Sequence, residues 1–317
     1  MTDQADFALK LHRVAVPDPA ENACWSPFSV ATALALVREG ARGETRAELD
    51  VLLRDFHPRG ALDVPELAVA NSLWADDSLA LNPEFSLASS VRRTAFSDHR
   101  TARKLINADV EEATRGLIPE LLGTVSPATV AVLVNALYLK VGWRNPFRSN
   151  ATKPRNFHAP DGDVEVPTMK VTAELGYTRH DGWQTIALPA KSGVEMLVLL
   201  PDASLEQPLD PSVFEVRDTT KVALSLPKVD VRANFELSED LPRLGVKAMF
   251  SSDADLSGIS PDHLVVSEVV HEAVLRLDEQ GLEGAAATAV MIGRGAVPGR
   301  RAEPIVVNVD RPFLLAV

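Results

Sequence analysis

Hydrophobic and polar positions follow helical spacing in the first part of the chain and strand-like runs in the later part. Ser26-Pro27 indicates a helix start, because serine caps the amino end and proline fits the first turn. This helix should run to Glu39 and end at Gly40. Residues 129–141 form a long apolar run, which is typical of a strand buried on both faces.

The rest of the pattern keeps helices and strands apart along the chain. Helices are predicted at residues 7–16, 45–53, 83–95, 109–122 and 241–249, and strands at 67–74, 196–200, 222–226 and 229–237. Pro160-Asp161-Gly162 predicts a hairpin turn. Few helix–strand alternations occur, so the pattern predicts an α+β fold rather than a doubly wound one.

The segment Asp278 to Gly293 (DEQGLEGAAATAVMIG) differs from its surroundings. It follows the apolar run LVVSEVVHEAVLRL, which predicts a long strand, but glycine and alanine replace the bulky residues. With a period of two, one face carries only apolar or small residues: Leu282, Gly284, Ala286, Thr288, Val290 and Ile292. Loops favour turn-forming and charged residues, so we interpret the segment as a latent strand. A plain surface helix is the alternative, because alanine favours helices.

Composition limits the class of protein. The chain has 317 residues, 46% of them hydrophobic, and a formal net charge of −12, which argues against a nucleic-acid partner. Although the length alone is compatible with two domains, no linker, charge block or repeat divides the chain, so we expect one domain over 1–317. Cys24 is the only cysteine, which excludes an intrachain disulfide and is interpreted as a buried thiol.

The amino terminus is polar and lacks the apolar core of a signal peptide, and no run reaches the length of a membrane span. We therefore expect no membrane partner, and a cytoplasmic protein or one exported without a recognisable leader.

Motifs of common catalytic chemistry are missing from the sequence. It has no G-x-S-x-G, H-E-x-x-H or phosphate-binding loop, and its seven histidines show no metal-ligand spacing. His271 lies in the apolar strand, where a lone histidine is more often a hydrogen-bonded core residue than a catalyst. We expect no enzyme activity, no metal and no cofactor.

Several motifs together resemble one family. The order Glu-x-Gly-x-Glu before the small-residue run resembles the hinge of a serpin's reactive-centre loop, and VNVDRPFLLAV resembles the serpin signature after that loop. Further segments resemble the family in its own order: WSPFSVATALALVREGARGETRAEL, VNALYLKVGWRNPF, FHAPDGDVEVPTMK, GVEMLVLLPD, LSLPKVDVRANFEL and LGVKAMFSSDADLSGIS. Independent motifs in one order are more specific than any single motif, so the chain is identified as a serpin that resembles inhibitory members of bacterial type.

The resemblance implies a fold of three β-sheets, eight or nine α-helices and an exposed reactive-centre loop at about residues 279–304. It also implies a suicide-substrate inhibitor. A serine protease attacks the loop and forms an acyl-enzyme, and the cut loop then enters the central sheet as a new strand. The partner would be a trypsin-like protease in a covalent complex, and the inhibitor a monomer able to polymerise. The alternative is a non-inhibitory serpin-fold binding or carrier protein.

Counting from Gly281 places the reactive bond at Arg294-Gly295, because Arg294 carries the only specificity-bearing side chain there. A basic side chain suits a protease pocket with a buried carboxylate. Counting back from Pro312-Phe313 favours Arg300 or Arg301 instead. As a local basic cluster, these arginines are otherwise interpreted as a solvated loop or, alternatively, a polyanion site.

Two further groups of site residues follow from the resemblance. The hinge comprises Glu279, Gly281, Leu282, Glu283, Gly284, Ala285, Ala286, Ala287 and Thr288. Sheet opening would be controlled by Ser26, Ser29, Asn135 and His271 under the central sheet, and by Trp143 and Lys228 with Glu279 where the loop first enters. A partly buried Lys228–Glu279 pair would be sensitive to losing one partner, whereas a surface pair would contribute little.

The chain departs from the family at three places. Leu282 stands where the family usually has threonine or serine, and Gly284 replaces an alanine. The chain stops at Val317, inside a strand that the family follows with a turn and a further buried strand. We therefore expect either a truncated chain or a sheet completed in another way.

Overall fold

The computed structural model describes residues 2–282, apart from 17, 19, 55 and 57–66, and residues 303–317. In this part the helices are α1 (Thr2–Ala15), α2 (Pro27–Gly40), α3 (Gly43–Leu52), α4 (His99–Ala113) and α5 (Asp240–Arg243). The strands are β1 (Leu67–Asp76), β2 (Val91–Thr94), β3 (Ala131–Leu139), β4 (Val141–Gly142), β5 (Lys153–Ala159), β6 (Gly162–His180), β7 (Trp183–Pro189), β8 (Glu195–Pro201), β9 (Thr219–Pro227), β10 (Val229–Glu236), β11 (Glu268–Leu277), β12 (Gly281–Leu282), β13 (Ile305–Asn308) and β14 (Leu314–Ala316).

The chain divides into two compact units. The first comprises Met1–Pro17, Asn22–Tyr138 and Val231–Val274, and the second Asp18–Glu21, Leu139–Asp230 and Leu275–Val317. The expectation of a single domain stays a prediction.

In the first unit, helix α2 is buried on most of its sides, as an apolar helix of an interior should be. It begins where the sequence predicts, because Ser26 Oγ accepts a hydrogen bond from the Ser29 N–H at 3.1 Å and Pro27 occupies the first turn. Its apolar residues share one core with side chains of β1, β3 and β11.

Strands of the first unit follow the order β2-β1-β3-β11, and β10 pairs with β11. β3 and β11 are parallel and in register from Val132↔Glu268 to Leu137↔Ala273, so Asn135 lies opposite His271. Helix α4 covers the other face of these strands through Ala102, Ile106 and Val110.

The second unit is built on antiparallel strands in the order β13-β9-β6-β7-β8-β14, with β5 paired to β6. The predicted turn at Pro160-Asp161-Gly162 joins β5 and β6, where Ala159 pairs with Gly162. β13 lies at one edge of this sheet and pairs with β9 in a parallel orientation. Apolar side chains from β6, β7, β8 and β9 form the core of this unit.

Three predicted helices are wrong. Residues 83–95 contain a 3₁₀ turn and then β2, because Val91 pairs with Leu73 of β1. The helix predicted at 109–122 is instead α4, which ends at Ala113 because Arg115 and Gly116 adopt left-handed conformations, with φ of 56° and 82°. The helix predicted at 241–249 is limited to α5, because Gly245 has a φ of 96°.

The described residues therefore contain five α-helices and two sheets, whereas the resemblance implied eight or nine helices and three sheets. Four segments form single 3₁₀ turns: Ala88–Ser90, Ser149–Ala151, Pro211–Phe214 and Ala248–Phe250. The α+β class itself is confirmed.

Candidate functional site

A tight turn joins β11 to β12. The Asp278 N–H donates to the Gly281 carbonyl at 2.9 Å, and Asp278 Oδ1 accepts from the N–H groups of Gln280 and Gly281 at 2.7 and 3.2 Å. An aspartate that binds the backbone two residues ahead stabilises such a turn. The turn folds the chain back so that Leu282 pairs antiparallel with Leu277.

The residues after this turn form β12, which pairs with a strand on each side. Leu282 pairs with Leu277 of β11 and with Val141 of β4, and Gly281 pairs with Gly142. The Leu282 side chain is 1% exposed and belongs to the core of the second unit. A Cβ on Gly281 would lie 2.0 Å from the Val141 carbonyl oxygen, so only glycine fits without a shift of the backbone.

Glu279 stabilises the turn through contacts of its carboxylate and of its backbone carbonyl. Its carboxylate contacts Lys228 Nζ at 2.7 Å and accepts from Thr152 Oγ1 at 2.6 Å, and its carbonyl accepts from the Phe147 N–H at 2.9 Å. Burial pushes the pKa of Glu279 upwards, but the hydrogen bonds from Lys228 and Thr152 outweigh it, and the pKa is below its usual value. The carboxylate is 10% exposed and the lysine side chain 39%, so the pair is only partly buried.

Trp143 stabilises the same turn through two hydrogen bonds. Its indole Nε1–H donates to the Asp278 carbonyl at 3.0 Å, and its backbone N–H donates to the Gln280 carbonyl at 2.9 Å. The ring is buried, and its backbone forms a bridge to Ala190. The structure therefore brings Trp143, Lys228 and Glu279 together at the turn between β11 and β12.

A second cluster lies in the first unit, between β3, β11 and the start of α2. His271 Nε2 accepts from the Ser26 N–H at 3.0 Å, and His271 Nδ1 contacts Asn135 Oδ1. Asn135 Nδ2 donates to the carbonyl and hydroxyl oxygens of Ser29 at 3.0 and 2.7 Å and also to Asn71 Oδ1. The four residues named from the resemblance are in contact, and Asn71 is an additional member.

The partners of His271 determine its charge. Because Nε2 accepts a hydrogen bond, Nδ1 must carry the proton and donate to Asn135, which describes a neutral imidazole. Burial lowers the pKa of His271 to about 4. Phe235 stacks on the ring with centroids 6.3 Å apart. The arrangement joins two strands and a helix through hydrogen bonds.

The other hinge and reactive-bond residues lie outside the described residues: Glu283, Gly284, Ala285, Ala286, Ala287, Thr288, Arg294, Gly295, Arg300 and Arg301. Among the residues that are described, no group of three potential ligands could hold a metal ion. In the same part of the chain, no helix is long and apolar enough to cross a bilayer.

Sequence reasoning missed Thr152, Asp278 and Asn71. The pattern Asp-x-x-Gly at residues 278–281 is a turn signal that could have identified Asp278. Thr152 and Asn71 have no local signal, because their partners are 127 and 64 residues away in the chain.

These features define an α+β protein in which a tight turn after β11 leads directly into the short strand β12. Comparison with known proteins gives the family. The family described as serpin (serine protease inhibitor) matches residues 2–317. Serpin A3-1 of Bos taurus is 35% identical, over 100% of this chain and 84% of its own. The chain therefore belongs to the serpin family, whose members are mostly protease inhibitors rather than catalysts and generally pair with serine proteases.

Solved structures show the same fold. Serpin48, described as a highly specific serpin in the insect Tenebrio molitor, is 28% identical with a TM-score of 0.84, over 99% of this chain and 92% of that one. Human thyroxine-binding globulin in complex with thyroxine is 25% identical with a TM-score of 0.85, over 99% and 92%.

Proposed function

We propose that this protein inhibits trypsin-like serine proteases by trapping the acyl-enzyme when its cleaved loop inserts between β3 and β11. The observation that carries this proposal is the position of Leu282. It is the first inward residue of the small-residue segment, and it already pairs with β11 and β4. The direction of β12, antiparallel to β11, is the direction that an inserting loop needs.

The register of β12 fixes how the rest of the loop would pair. Since Leu282 lies opposite Leu277, each later loop residue would face the next earlier residue of β11. Ala286 would then lie opposite Ala273, and Thr288 opposite His271. Alternate residues facing α2 would all be apolar or small, so no charge would be buried on that side.

Insertion requires β3 and β11 to separate, because they now pair directly over six residues of each strand. The bond between His271 and Asn135 crosses this boundary, and so it has to break. We therefore assign these two residues, with Ser26 and Ser29, to the control of sheet opening. Trp143, Lys228 and Glu279 would control the entry point.

Arg294-Gly295 is the proposed reactive bond, with Arg300 and Arg301 as alternatives. A gel under denaturing conditions after incubation with trypsin should show a covalent complex. Sequencing of the released fragment should begin at Gly295, and a start at Arg301 or Ala302 would reject Arg294.

The inward face can be tested separately. Ala286→Arg should convert the inhibitor into a substrate, because an unpaired guanidinium opposite Ala273 would stall insertion. The matched control is Ala285→Arg, which would lie opposite Val274 on the other face, where burial is only partial and a long arginine side chain can reach solvent. Denaturant-stable complex with Ala286→Arg at the wild-type stoichiometry would contradict insertion. Cleavage without any complex in the wild type would favour the alternative of a binding or carrier protein, a role illustrated by the thyroxine complex of the human relative.

A further inference from the structure

A buried carboxylate in the first unit is not used by the features described above. Glu272 on β11 has a side chain only 1% exposed. It accepts from Arg232 Nε at 2.5 Å and from Asn234 Nδ2 at 3.0 Å, and both donors lie on β10. A buried charge is tolerated when hydrogen-bonded donors compensate it, and loss of one donor leaves an uncompensated charge.

The same two donors also hold a segment outside the sheet. Arg232 Nη2 donates to the Glu120 carbonyl at 3.0 Å, and Asn234 Nδ2 donates to the Leu121 carbonyl at 2.9 Å. Each side chain therefore joins the Glu272 carboxylate to the backbone of the segment that connects α4 to β3. The Glu272 carboxylate orients both donors, because it accepts one hydrogen bond from each of them.

Helix α4 holds this connecting segment from its other side. Asn107 Oδ1 accepts from the N–H groups of Leu121 and Leu122 at 3.1 and 2.9 Å, and its Nδ2 donates to the Leu122 carbonyl at 3.0 Å. Arg103 Nη1 donates to the Gly123 carbonyl at 2.7 Å. The segment is thus bonded both to α4 and to β10.

The connecting segment lies over the two strands that would separate. Its apolar side chains share one core with residues of β3 and β11: Ile118, Leu121, Leu122, Val125, Val132, Val134, Ala136 and Val270. Helix α4 also contacts β2, the strand at the opposite end of this strand order from β11. Asp109 of α4 forms an ion pair with Arg92 of β2 at 3.2 Å. Separation of β3 from β11 must therefore break one of two sets of hydrogen bonds. These are the bonds from Arg232 and Asn234 to the connecting segment, or the bonds between that segment and α4.

We propose that Glu272, Arg232 and Asn234 form a clamp that holds β11 to the segment connecting α4 and β3 and so sets the rate at which a strand enters between β3 and β11. The clamp rests on the proposed function, because it acts on loop insertion. Its members are positioning residues that touch neither the protease nor the reactive bond.

The test is the entry of a synthetic peptide of residues 284–292 (GAAATAVMI) into the intact protein, followed by native gel electrophoresis. Glu272→Gln replaces one acceptor oxygen by a donor, so one of its two bonds is lost. Entry should be at least about tenfold faster, the change that a barrier lower by about 1.4 kcal/mol produces. Asn234→Ala, at an exposed position, should do the same if Glu272→Gln fails to fold.

The matched control is Arg92→Gln, which removes the ion pair between β2 and Asp109 of α4. This pair lies away from the boundary between β3 and β11, where the strands would separate. The control variant should leave the rate of entry unchanged. The rate of hydrogen exchange at the Leu121 and Leu122 amides should rise in both clamp variants. The rise is expected even if the variants have the same melting temperature as the control.

Equal rates of entry in wild type, Glu272→Gln and Asn234→Ala would overturn the clamp while leaving loop insertion intact. Acceleration by Arg92→Gln to the same degree would also overturn it, because any loosening of α4 would then suffice. Failure of the peptide to enter any of these proteins would instead overturn the insertion mechanism, and the clamp's role with it.

Discussion

The neutral imidazole of His271 should make the stability of the protein depend on pH. Burial lowers its pKa from 6.5 to about 4. As the pH falls below 6.5, the unfolded chain binds a proton that the folded protein does not. The stabilisation is complete above pH 6.5, decreases by about 1.4 kcal/mol per pH unit below it, and is lost near pH 4, a total of about 3 kcal/mol.

A variant without this titration isolates the effect. His271→Gln offers an acceptor to the Ser26 N–H and a donor to Asn135 Oδ1, and all other groups titrate in both proteins. Melting temperatures at pH 7.5 and 4.5 are measured for wild type and variant. The advantage of the wild type should shrink by about 4 °C at the lower pH, at about 1.5 °C per kcal/mol for a chain of 317 residues. A difference that is the same at both pH values would refute the neutral state of the His271 imidazole in the folded protein.

Two more predictions concern the turn at the start of the loop. Lys228→Met should lower stability by about 1 kcal/mol, a modest value because the lysine is partly exposed, and should raise the pKa of Glu279. A double-mutant cycle with Glu279→Gln measures the pair, and a coupling below about 0.2 kcal/mol would reject it. Gly281→Ala should cost about 1–3 kcal/mol in urea unfolding, because its Cβ would meet the Val141 backbone. Gly123→Ala is the control, since nothing lies within 4 Å of its Cβ, and equal losses in both variants would contradict the steric argument.

Local signals account for the elements that the sequence predicts well. Helix α2 begins at its serine cap and ends at Gly40, and β3 is an apolar run buried by α2 on one face and α4 on the other. These signals depend on neighbours in the chain, so they are readable without the fold. The turn between β5 and β6 is predicted for the same reason.

Non-local contacts explain the failures. Residues 117–123 have apolar spacing that mimics a helix, yet they bury those side chains as an irregular segment bonded to Asn107, Arg232 and Asn234. β2 exists because β1 is available to pair with it. Likewise, nothing near His271 in the sequence points to Ser26, which is 245 residues away. The family resemblance, rather than the residues around His271, predicts its partners.

Cleavage of the loop should raise the melting temperature, although breaking a chain normally frees ends and lowers it. Leu282 already pairs on both sides, so the freed segment needs no nucleation step and only has to extend β12. Each residue added would gain backbone hydrogen bonds to the neighbouring strands. The measurement compares intact and trypsin-cleaved protein by melting temperature, with hydrogen exchange at residues 284–292. A cleaved form that melts at or below the intact one, with those amides still exchanging freely, would reject insertion and leave the binding or carrier role. A rise that Ala286→Arg abolishes and Ala285→Arg preserves would assign the gain to the inward face of the inserted strand.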